Sequence, residues 1–433
     1  MINGKEIANG TPGKIRVLAY CDSPTCATGF ATVSRNVLMG LYNTGRYSID
    51  VIGINYWGDP HNFPFRIWPA GTNAENDPYG RKKAFDMIHK MEYDVLFFLQ
   101  DTFILDFLPQ LHESLRMAGK NFRSVCYFPV DGVPIKEWLH NVNACDHIVA
   151  YTDYGRNTAK EAFPEMKDLQ VIPHGVNIRD FYPMGEKDIT SFRAQFFGAC
   201  GKNFIFTNLN RNQQRKDIPR TIAAFAELKK EIKDITLYLH MAVKDQGWEL
   251  DRIVANYGLR INSDVIFPQN FGPNQGFPRH VVNMIYNASD CVVSTTLGEG
   301  FGLSWIEAMA TKTPIIMPDN TAMTEFITPD RGYLVKSGNT NNLYTICRND
   351  NDVVRPLTDI DDLVDKMRTV YWNRQEAKAK AEKAYSWVTT QMDWQSCVVP
   401  KWVNLFDAAY DNLQKGVHVP VGKQDVVIET EAF

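Results

Sequence analysis

Short apolar runs alternate with amphipathic stretches along almost the whole chain, and this alternation constrains the fold more than any other feature of the sequence. The apolar runs of the first half are rich in Val, Ile and Phe and show little polar alternation, which is typical of strands buried on both faces of a parallel sheet. The predicted strands of this half are 15–20, 50–54, 94–99, 124–130, 147–151 and 170–172. Because helical patterns separate them, the sequence predicts right-handed βαβ units and a doubly wound sheet.

The second half repeats this rhythm, with apolar runs at 204–209, 235–240, 265–267, 291–295 and 314–317. A chain of 433 residues is also longer than one hydrophobic core usually organises. We therefore predict an α/β protein of two Rossmann-like domains, 1–185 and 186–390, whose sheets face one interdomain cleft. A last helix is expected at 391–413, with Asp393 as its cap, followed by a peripheral tail at 414–433.

Composition excludes several classes of protein. Hydrophobic residues make up 44% of the chain and charged residues 22%, which argues against a disordered or fibrous protein. No apolar run approaches the roughly 20 residues of a membrane helix, and the first residues contain no apolar signal region, so we expect a cytoplasmic protein. The net charge of -4 argues against a globally basic nucleic-acid binder. Eight scattered cysteines predict reduced thiols rather than disulfides or a zinc site.

The segment 298–307 carries the most chemical information. It follows an apolar run and opens into a helical pattern, which predicts a strand, a loop and a helix start. Gly300 and Gly302 allow the backbone to approach a ligand closely, and free N–H groups at a helix start favour anions. Glu307 can accept hydrogen bonds from vicinal hydroxyls, as acidic residues do for ribose in nucleotide-binding folds. A tight turn with two solvated glutamates, Glu299 and Glu307, is the alternative.

Three other segments follow predicted strands. Arg211 and Lys216 come after the first strand of the second half, where they could hold phosphate oxygens or form a solvated basic loop. His174 ends a strand at a glycine turn, where a hydrogen-bonded loop histidine is the simpler interpretation. Thr28 and Gly29 lie in the loop after the first strand, which suits close approach of a phosphate or acceptor, or a plain βα turn.

Together, and in this order, the four segments resemble the retaining nucleotide-sugar glycosyltransferases of family 4, which have the GT-B fold. The resemblance extends from about Lys14 to the helices before Trp394. Its most specific part is the pair of glutamates separated by seven residues, Glu299 and Glu307. The spacing of Arg211 and Lys216 matches the family's diphosphate clamp, and residues 173–183 match its linker motif.

The resemblance implies a role for each of these residues. Glu299 would face the donor sugar, and Glu307 would hold the ribose. Loop amides would contact the sugar and the phosphates, at Gly300, Phe301, Gly302 and Leu303. The last helix would cross back to the first domain. A nucleoside-diphosphate sugar would be the donor substrate, with no cofactor.

Two departures from the family pattern concern the first domain. Many relatives carry a glycine pair in the first loop, whereas here only Gly29 fits, beside Thr28. Many also carry a histidine after the fourth strand, and Asp131 is our candidate for its place, as an acceptor for a sugar hydroxyl or a developing positive charge. An Asp-Gly turn is the competing interpretation of Asp131. Thr28 and His174 are further candidates for acceptor or phosphate contacts.

Other functions stay open at this point. A nucleotide-sugar epimerase of the same fold and a non-catalytic nucleotide-sugar binding protein are the alternatives to a transferase. The acceptor could be a glycan, a lipid carrier, a metabolite or a hydroxylated DNA base, of which DNA is not favoured by the net charge. The aromatic segment 55–68 could stack on a ligand or pack in the core. Asp350 and Asp352 spell a DxD motif, but we expect a surface turn there and no metal site.

Overall fold

The computed structural model describes residues 13–71, 77–272, 275–348, 350 and 352–416, and its first half forms a parallel sheet. The strands are β1 (Ile15–Asp22), β2 (Tyr47–Ile54), β3 (Arg66–Pro69), β4 (Val95–Leu99), β5 (Arg123–Phe128), β6 (His147–Ala150) and β7 (Leu169–Val171). The helices between them are α1 (Gly29–Asn43), α2 (Arg81–Lys90), α3 (Leu108–Met117), α4 (Lys136–Asn143) and α5 (Asp153–Ala162). The strand order is β3-β2-β1-β4-β5-β6-β7.

A second parallel sheet follows. Its strands are β8 (Phe204–Asn208), β9 (Ile235–Leu239), β10 (Val265–Ile266), β11 (Cys291–Val293), β12 (Ile315–Pro318) and β13 (Tyr333–Val335), in the order β10-β9-β8-β11-β12-β13. The helices before and between them are α6 (Glu186–Phe196), α7 (Ile218–Glu231), α8 (Leu250–Asn256), α9 (Arg279–Ala288), α10 (Leu303–Ala310) and α11 (Met323–Phe326). Short 3-10 turns cover Gly198–Lys202 and Gln214–Lys216.

The remaining elements are a small antiparallel hairpin and the C-terminal helices. The hairpin pairs β14 (Tyr344–Ile346) with β15 (Val354–Pro356). The helices are α12 (Ile360–Trp372), α13 (Arg374–Gln391) and α14 (Val399–Gln414), with a π-helical turn at Trp394–Val398. Asp393 caps this turn, because its carboxylate accepts a hydrogen bond from the Ser396 N–H at 2.9 Å.

Helix α14 lies against the first sheet rather than the second. The Trp402 ring meets Phe97 and Tyr127 edge-on, with centroids 5.6 and 4.6 Å apart, and all three side chains are buried. The Tyr47 hydroxyl donates a 2.5 Å hydrogen bond to Asp407 near the end of the same contact. Apolar burial of this kind is what binds a helix to a sheet face. The end of the chain is therefore packed on the domain where the chain began.

The predicted fold class is confirmed, and each of the predicted strands is present. Predicted domain limits at residues 185 and 390 stay predictions; the first sheet ends at Val171 and the second begins at Phe204. Of the predicted tail, residues 417–433 lie outside the described residues. All eight cysteines lie within the described residues and are free thiols, as predicted. Within the described ranges, no helix is both long and apolar enough to cross a bilayer.

Both sheets change winding direction at an internal pair of strands. In the first sheet β1 lies beside β4, and in the second β8 lies beside β11. Chain connections leave such a pair in opposite directions, which opens a crevice at the carboxyl ends of the strands, where ligands bind in open α/β sheets. The topology therefore directs attention to the loops after these four strands and after the neighbouring β5.

Candidate active site

The glycine loop between β11 and α10 packs directly on the first domain. A side chain at Gly298 would collide with the Asp131 carbonyl oxygen, and a Cβ at Gly300 would lie 2.8 Å from the Cβ of Pro129. Gly302 has a φ of +88°, a conformation that favours glycine, and it begins α10. We expected the missing side chain of Gly300 to leave room for a ligand, but in this structure that space is occupied by Pro129 of the loop after β5. Close domain contact therefore depends on these glycines.

Glu299, in the same loop, is bound by two cations of the 3-10 turn after β8. The Lys216 ammonium forms an ion pair with one carboxylate oxygen, and Arg215 Nη1 lies 3.4 Å from the other. Arg215 also donates to the Gly298 carbonyl. Burial alone would raise the pKa of Glu299, but the charges of Lys216 and Arg215 outweigh burial and hold this pKa below its ordinary value. Glu299 is therefore an ionised carboxylate.

Lys216 and Arg215 respond differently to the same surroundings. Burial and the neighbouring Arg215 charge lower the pKa of Lys216 to about 8, although Glu299 opposes the shift. For Arg215, burial is outweighed by Asp131 and Glu299, and its pKa is raised. At neutral pH the turn therefore presents two positive charges, of which the arginine's is the more firmly held.

Asp131 reaches this cluster from the first domain. Its carboxylate lies 3.2 Å from Arg215 Nε and 3.2 Å from Nη2 of Arg355, which belongs to β15. Burial opposes the ionised form, but Arg215 and Arg355 together lower the pKa of Asp131. The structure therefore brings the two predicted catalytic carboxylates, Asp131 and Glu299, to the same arginine.

Arg211 is not part of this cluster. Its guanidinium forms a two-point ion pair with Asp245, at 2.9 and 3.2 Å, and is 40% exposed. Arg211 thus lies apart from Lys216 in this structure, because the carboxylate of Asp245, beyond β9, binds its guanidinium. The predicted phosphate contact of Arg211 stays a prediction. Sequence reasoning missed Arg215, which takes its place beside Lys216. The signal was available, since Arg215 and Lys216 are adjacent at the carboxyl end of a predicted strand.

Two further aspartates of the first domain lie at the strand ends. Asp22 closes β1 and accepts hydrogen bonds from Thr28 Oγ1 at 2.6 Å and Gln100 Nε2 at 3.1 Å. Asp101 follows β4, and burial together with Asp131 and Asp22 raises its pKa to about 7 against the opposing charge of Arg215. Asp101 was not among the predicted residues, although its place after the predicted strand 94–99 indicated this edge of the sheet. Its pKa therefore lies close to neutrality.

The predicted first-loop residues form the start of α1. Thr28 caps the helix, since its hydroxyl oxygen accepts the Ala31 N–H at 3.0 Å. Gly29 opens towards the start of α10, where the nearest atom to an added Cβ would be Leu303 Cδ1 at 3.9 Å. A side chain at Gly29 would therefore be in van der Waals contact with Leu303 across the cleft, and the phosphate or acceptor contact of Thr28 and Gly29 stays a prediction.

Two predicted contact residues are packed instead. His174 is buried between the rings of Tyr151 and Phe301, and its Nδ1 lies 2.7 Å from the Tyr127 hydroxyl. Burial lowers the pKa of His174 to about 3, so the ring is neutral. Phe301 is itself buried and stacks near Trp305. The His174 and Phe301 side chains therefore have little surface open to a ligand. The acceptor or phosphate contact of His174 stays a prediction, as does the donor contact of the Phe301 backbone amide.

Glu307 lies one turn into α10, where it borders a small cavity between the domains. The Tyr286 hydroxyl donates a 2.8 Å hydrogen bond to its carboxylate. The cavity is also lined by Thr32 and Asn36 of α1 and by Arg279. Burial raises the pKa of Glu307 to about 7, with Tyr286 and Arg279 opposing. A carboxylate among hydroxyl and amide groups is suited to bind the vicinal hydroxyls of a ribose.

The raised pKa of Glu307 predicts a pH-dependent stability. Because the unfolded chain loses this proton near the ordinary value of 4.5 and the folded chain near 7, Glu307 destabilises the fold progressively across that interval. Glu307→Gln should remove the effect while keeping an acceptor for Tyr286. We expect the melting temperature of the variant, relative to wild type, to increase between about pH 5 and about pH 8. If calorimetry gave the same difference in melting temperature between Glu307→Gln and wild type at both pH values, the raised pKa assigned to Glu307 would be contradicted.

The DxD motif lies in a turn, as predicted, and Asp352 is exposed, whereas Asp350 is half-buried. Asp350 lies against the cleft, where its carboxylate accepts a 2.5 Å hydrogen bond from Arg355 Nε. Asp352 adopts a left-handed conformation with a φ of +54°. Among the residues that the structure describes, no group of three or more His, Cys, Asp or Glu side chains is arranged to hold a metal ion. The predicted absence of a metal stays a prediction.

The predicted aromatic segment 55–68 mostly packs. Phe65 is buried beside Tyr42, and the Trp68 ring donates a 3.1 Å hydrogen bond to Asp50. Trp57 is exposed over 59% of its surface. Among the large hydrophobic side chains of this described segment, only Trp57 has more than half of its surface exposed to solvent.

Known proteins are similar to this chain in part of its sequence and in its overall fold. Residues 192–346 match the model of the family described as glycosyl transferases group 1. Solved structures with the same architecture include sucrose-phosphate synthase from Thermosynechococcus elongatus, at 18% identity over 92% of this chain and 99% of that one, with a TM-score of 0.72. Another is HepE from Anabaena in complex with UDP and glucose, at 17% identity over 91% and 100% of the two chains, with a TM-score of 0.67. The fold is GT-B.

Curated relatives match shorter stretches. The mannosyltransferase WbdA from Escherichia coli is 31% identical over 123 residues, which are 28% of this chain and 14% of that protein. Alpha-monoglucosyldiacylglycerol synthase from Streptococcus pneumoniae is 23% identical over 195 residues, which are 45% of this chain and 41% of that one. The chain thus spans less than half the length of these two relatives.

Proposed function

We propose that this GT-B chain is a glycosyltransferase that moves a sugar, with retention of its configuration, from a nucleoside diphosphate to a hydroxyl group. The observation that carries the proposal is the largely buried ion-pair cluster of Lys216, Arg215 and Glu299, in which Lys216 is buried and the other two are half-buried. The cluster faces Asp131 across the cleft. The family match at 192–346 includes all three residues of the second domain, and the named functions of the matched relatives are sugar transfers.

The cations suit stabilisation of a diphosphate leaving group. As the bond between the sugar and the phosphate oxygen breaks, negative charge accumulates on the diphosphate. Arg215 and Lys216, together with the free N–H groups at the start of α10, are fixed in place before the charge develops. Because these cations and N–H groups are already in position, they need little reorganisation during the reaction, and this preorganisation is why they lower the barrier.

The carboxylates of Glu299 and Asp131 suit stabilisation of the sugar from which the diphosphate departs. A sugar that loses its leaving group becomes positively charged, and negative groups nearby stabilise it. Glu299 and Asp131 are kept ionised by the cations around them, so each acts as a charge rather than as a proton donor. Burial raises the pKa of Asp101 to about 7, a pKa suited to exchanging a proton with an incoming hydroxyl.

A donor screen tests the proposal. Release of nucleoside diphosphate would be measured across UDP- and GDP-sugars, starting with UDP-glucose because a solved neighbour holds it. An acceptor panel of glycans, lipid carriers, metabolites and hydroxymethylated DNA would follow. We expect sugar transfer with retained configuration. Sugar interconversion without an acceptor would indicate an epimerase, and diphosphate binding without turnover on any pair would indicate a binding protein; either result would contradict the proposal.

We expect activity to be independent of divalent metal. The diphosphate can be neutralised by Arg215, Lys216 and the start of α10, and the carboxylate of Asp350 is already bound by Arg355. Transfer rates in EDTA should therefore equal those in magnesium or manganese. Loss of activity on chelation, restored by either metal, would overturn this prediction and make Asp350 and Asp352 candidate ligands.

A further inference from the structure

The hairpin of β14 and β15 reaches from the second half of the chain to the first domain. Its strands pair antiparallel, with Arg355 opposite Thr345. A Cβ on Gly132 would lie 3.1 Å from Arg355 Nη1 and 3.1 Å from Val353 Cγ1, so the loop after β5 is in direct contact with the hairpin. The contact lies beside the proposed cleft because Gly132 follows Asp131.

Arg355 makes three hydrogen bonds at this contact. Nη1 donates to the carbonyl oxygen of Asp131 at 2.5 Å, Nη2 to the Asp131 carboxylate at 3.2 Å, and Nε to Asp350 at 2.5 Å. The side chain is almost fully buried, with 3% of the residue exposed. A planar guanidinium with several acceptors fixes their relative orientation more firmly than a flexible ammonium does. We call Arg355, Asp131 and Asp350 the Arg355 bridge.

The Arg355 bridge adjoins the donor loop. On its other side the Asp131 carboxylate binds Arg215, and the Asp131 carbonyl lies against Gly298. Arg355 thus binds both the backbone carbonyl and the carboxylate of Asp131, and it shares the carboxylate with Arg215. Lys216 and Glu299 pair with each other without Arg355.

We propose that Arg355 is a positioning residue that holds Asp131 and the loop after β5 closed against the donor loop, an inference that rests on the proposed function. Its effect on transfer passes through Asp131. Loss of Arg355 should consequently slow the chemical step, whereas binding of the nucleoside diphosphate by Lys216 and Arg215 should persist. It should also free residues 129–132 to move away from the hairpin.

Two substitutions with a matched control test the proposal. Arg355→Lys keeps the charge without the fork, and Arg355→Gln removes the charge. We expect kcat to fall by about 100-fold in both, with the donor KM changed by less than about threefold, because misplacement of a reacting group affects the chemical step rather than uniform binding. Arg348→Gln, an exposed position near the same hairpin, should match wild type. A donor KM that rises with kcat unchanged would overturn the proposal.

A substitution at Gly132, which faces Arg355 across the contact, tests the proposal even if the Arg355 variants fail to fold. Gly132→Ala would push on Arg355 without altering any charge, since its φ is not in the left-handed region. Hydrogen exchange should then be faster at residues 129–132 in Gly132→Ala and in both Arg355 variants than in wild type. If residues 129–132 exchanged at the same rate in wild type and in all three variants, the proposal that Arg355 holds this loop would be overturned. This readout needs no substrate, so inactivity of wild type on every donor would contradict the proposed function alone.

Discussion

Replacing Arg215 with glutamine is expected to weaken binding of a nucleoside diphosphate by about 10- to 100-fold, the equivalent of roughly 1.5–3 kcal/mol for a charge-assisted hydrogen bond. Arg215 is half-buried beside Glu299, and the carboxylates of Asp131 and Glu299 raise its pKa, so its charge is firmly held. Arg211→Gln should have a much smaller effect, because Asp245 already holds that guanidinium. Titration calorimetry with UDP and GDP would compare the two variants directly.

Two additional variants make this comparison decisive. Arg215→Lys retains a charge between Asp131 and Glu299. It should therefore fold even if glutamine, which leaves Asp131 with Arg355 alone and Glu299 with Lys216 alone, destabilises the protein. Asp245→Asn releases Arg211 and should raise diphosphate affinity only if that guanidinium can reach the ligand. A larger loss of affinity in Arg211→Gln than in both Arg215 variants would support the clamp predicted from the sequence instead.

The parallel sheets could be predicted because strands buried on both faces produce continuous apolar runs. β1 and β4 illustrate this, since almost all of their side chains are buried. The missed elements lack that signature. β3 is four residues long and begins with the exposed Arg66, and in the hairpin Ile346 and Val354 are 62% and 56% exposed. Short edge strands are stabilised by neighbours that lie far away in the sequence, and local patterns do not report those neighbours.

The site could be predicted where a residue follows a buried strand or opens a helix. Lys216, Glu299 and Asp131 satisfy that condition and meet in the cleft. Arg355 does not follow a buried strand or open a helix, and it reaches Asp131 only because the hairpin packs against the loop after β5. Arg211 shows the converse: its spacing matched a known motif, but the choice between Asp245 and a ligand is made by side-chain placement. Motif spacing predicts which residues reach a cleft, not which ion pairs form there.

Glu299→Gln is expected to have the largest effect on turnover, a loss in kcat of about 10²–10³-fold, because it removes a fixed charge at the centre where positive charge develops. It should also change the pH dependence. Burial and Arg215 lower the pKa of Lys216 to about 8 even though the Glu299 carboxylate raises it. Without the carboxylate this pKa must fall further, so less of the lysine is charged at neutral pH. The alkaline limb of kcat/KM should therefore move to lower pH.

A matched control separates this effect from general disturbance of the interface. Glu325 is another partly buried glutamate between the domains, where it accepts a 3.0 Å hydrogen bond from the Tyr154 N–H, but no lysine or arginine is paired with it in the described structure. Glu325→Gln should leave the alkaline limb in place. If Glu299→Gln also leaves it unmoved, Lys216 does not depend on Glu299 for its charge. The cation that meets the diphosphate would then have to be Arg215, whose pKa is too high to titrate in this range.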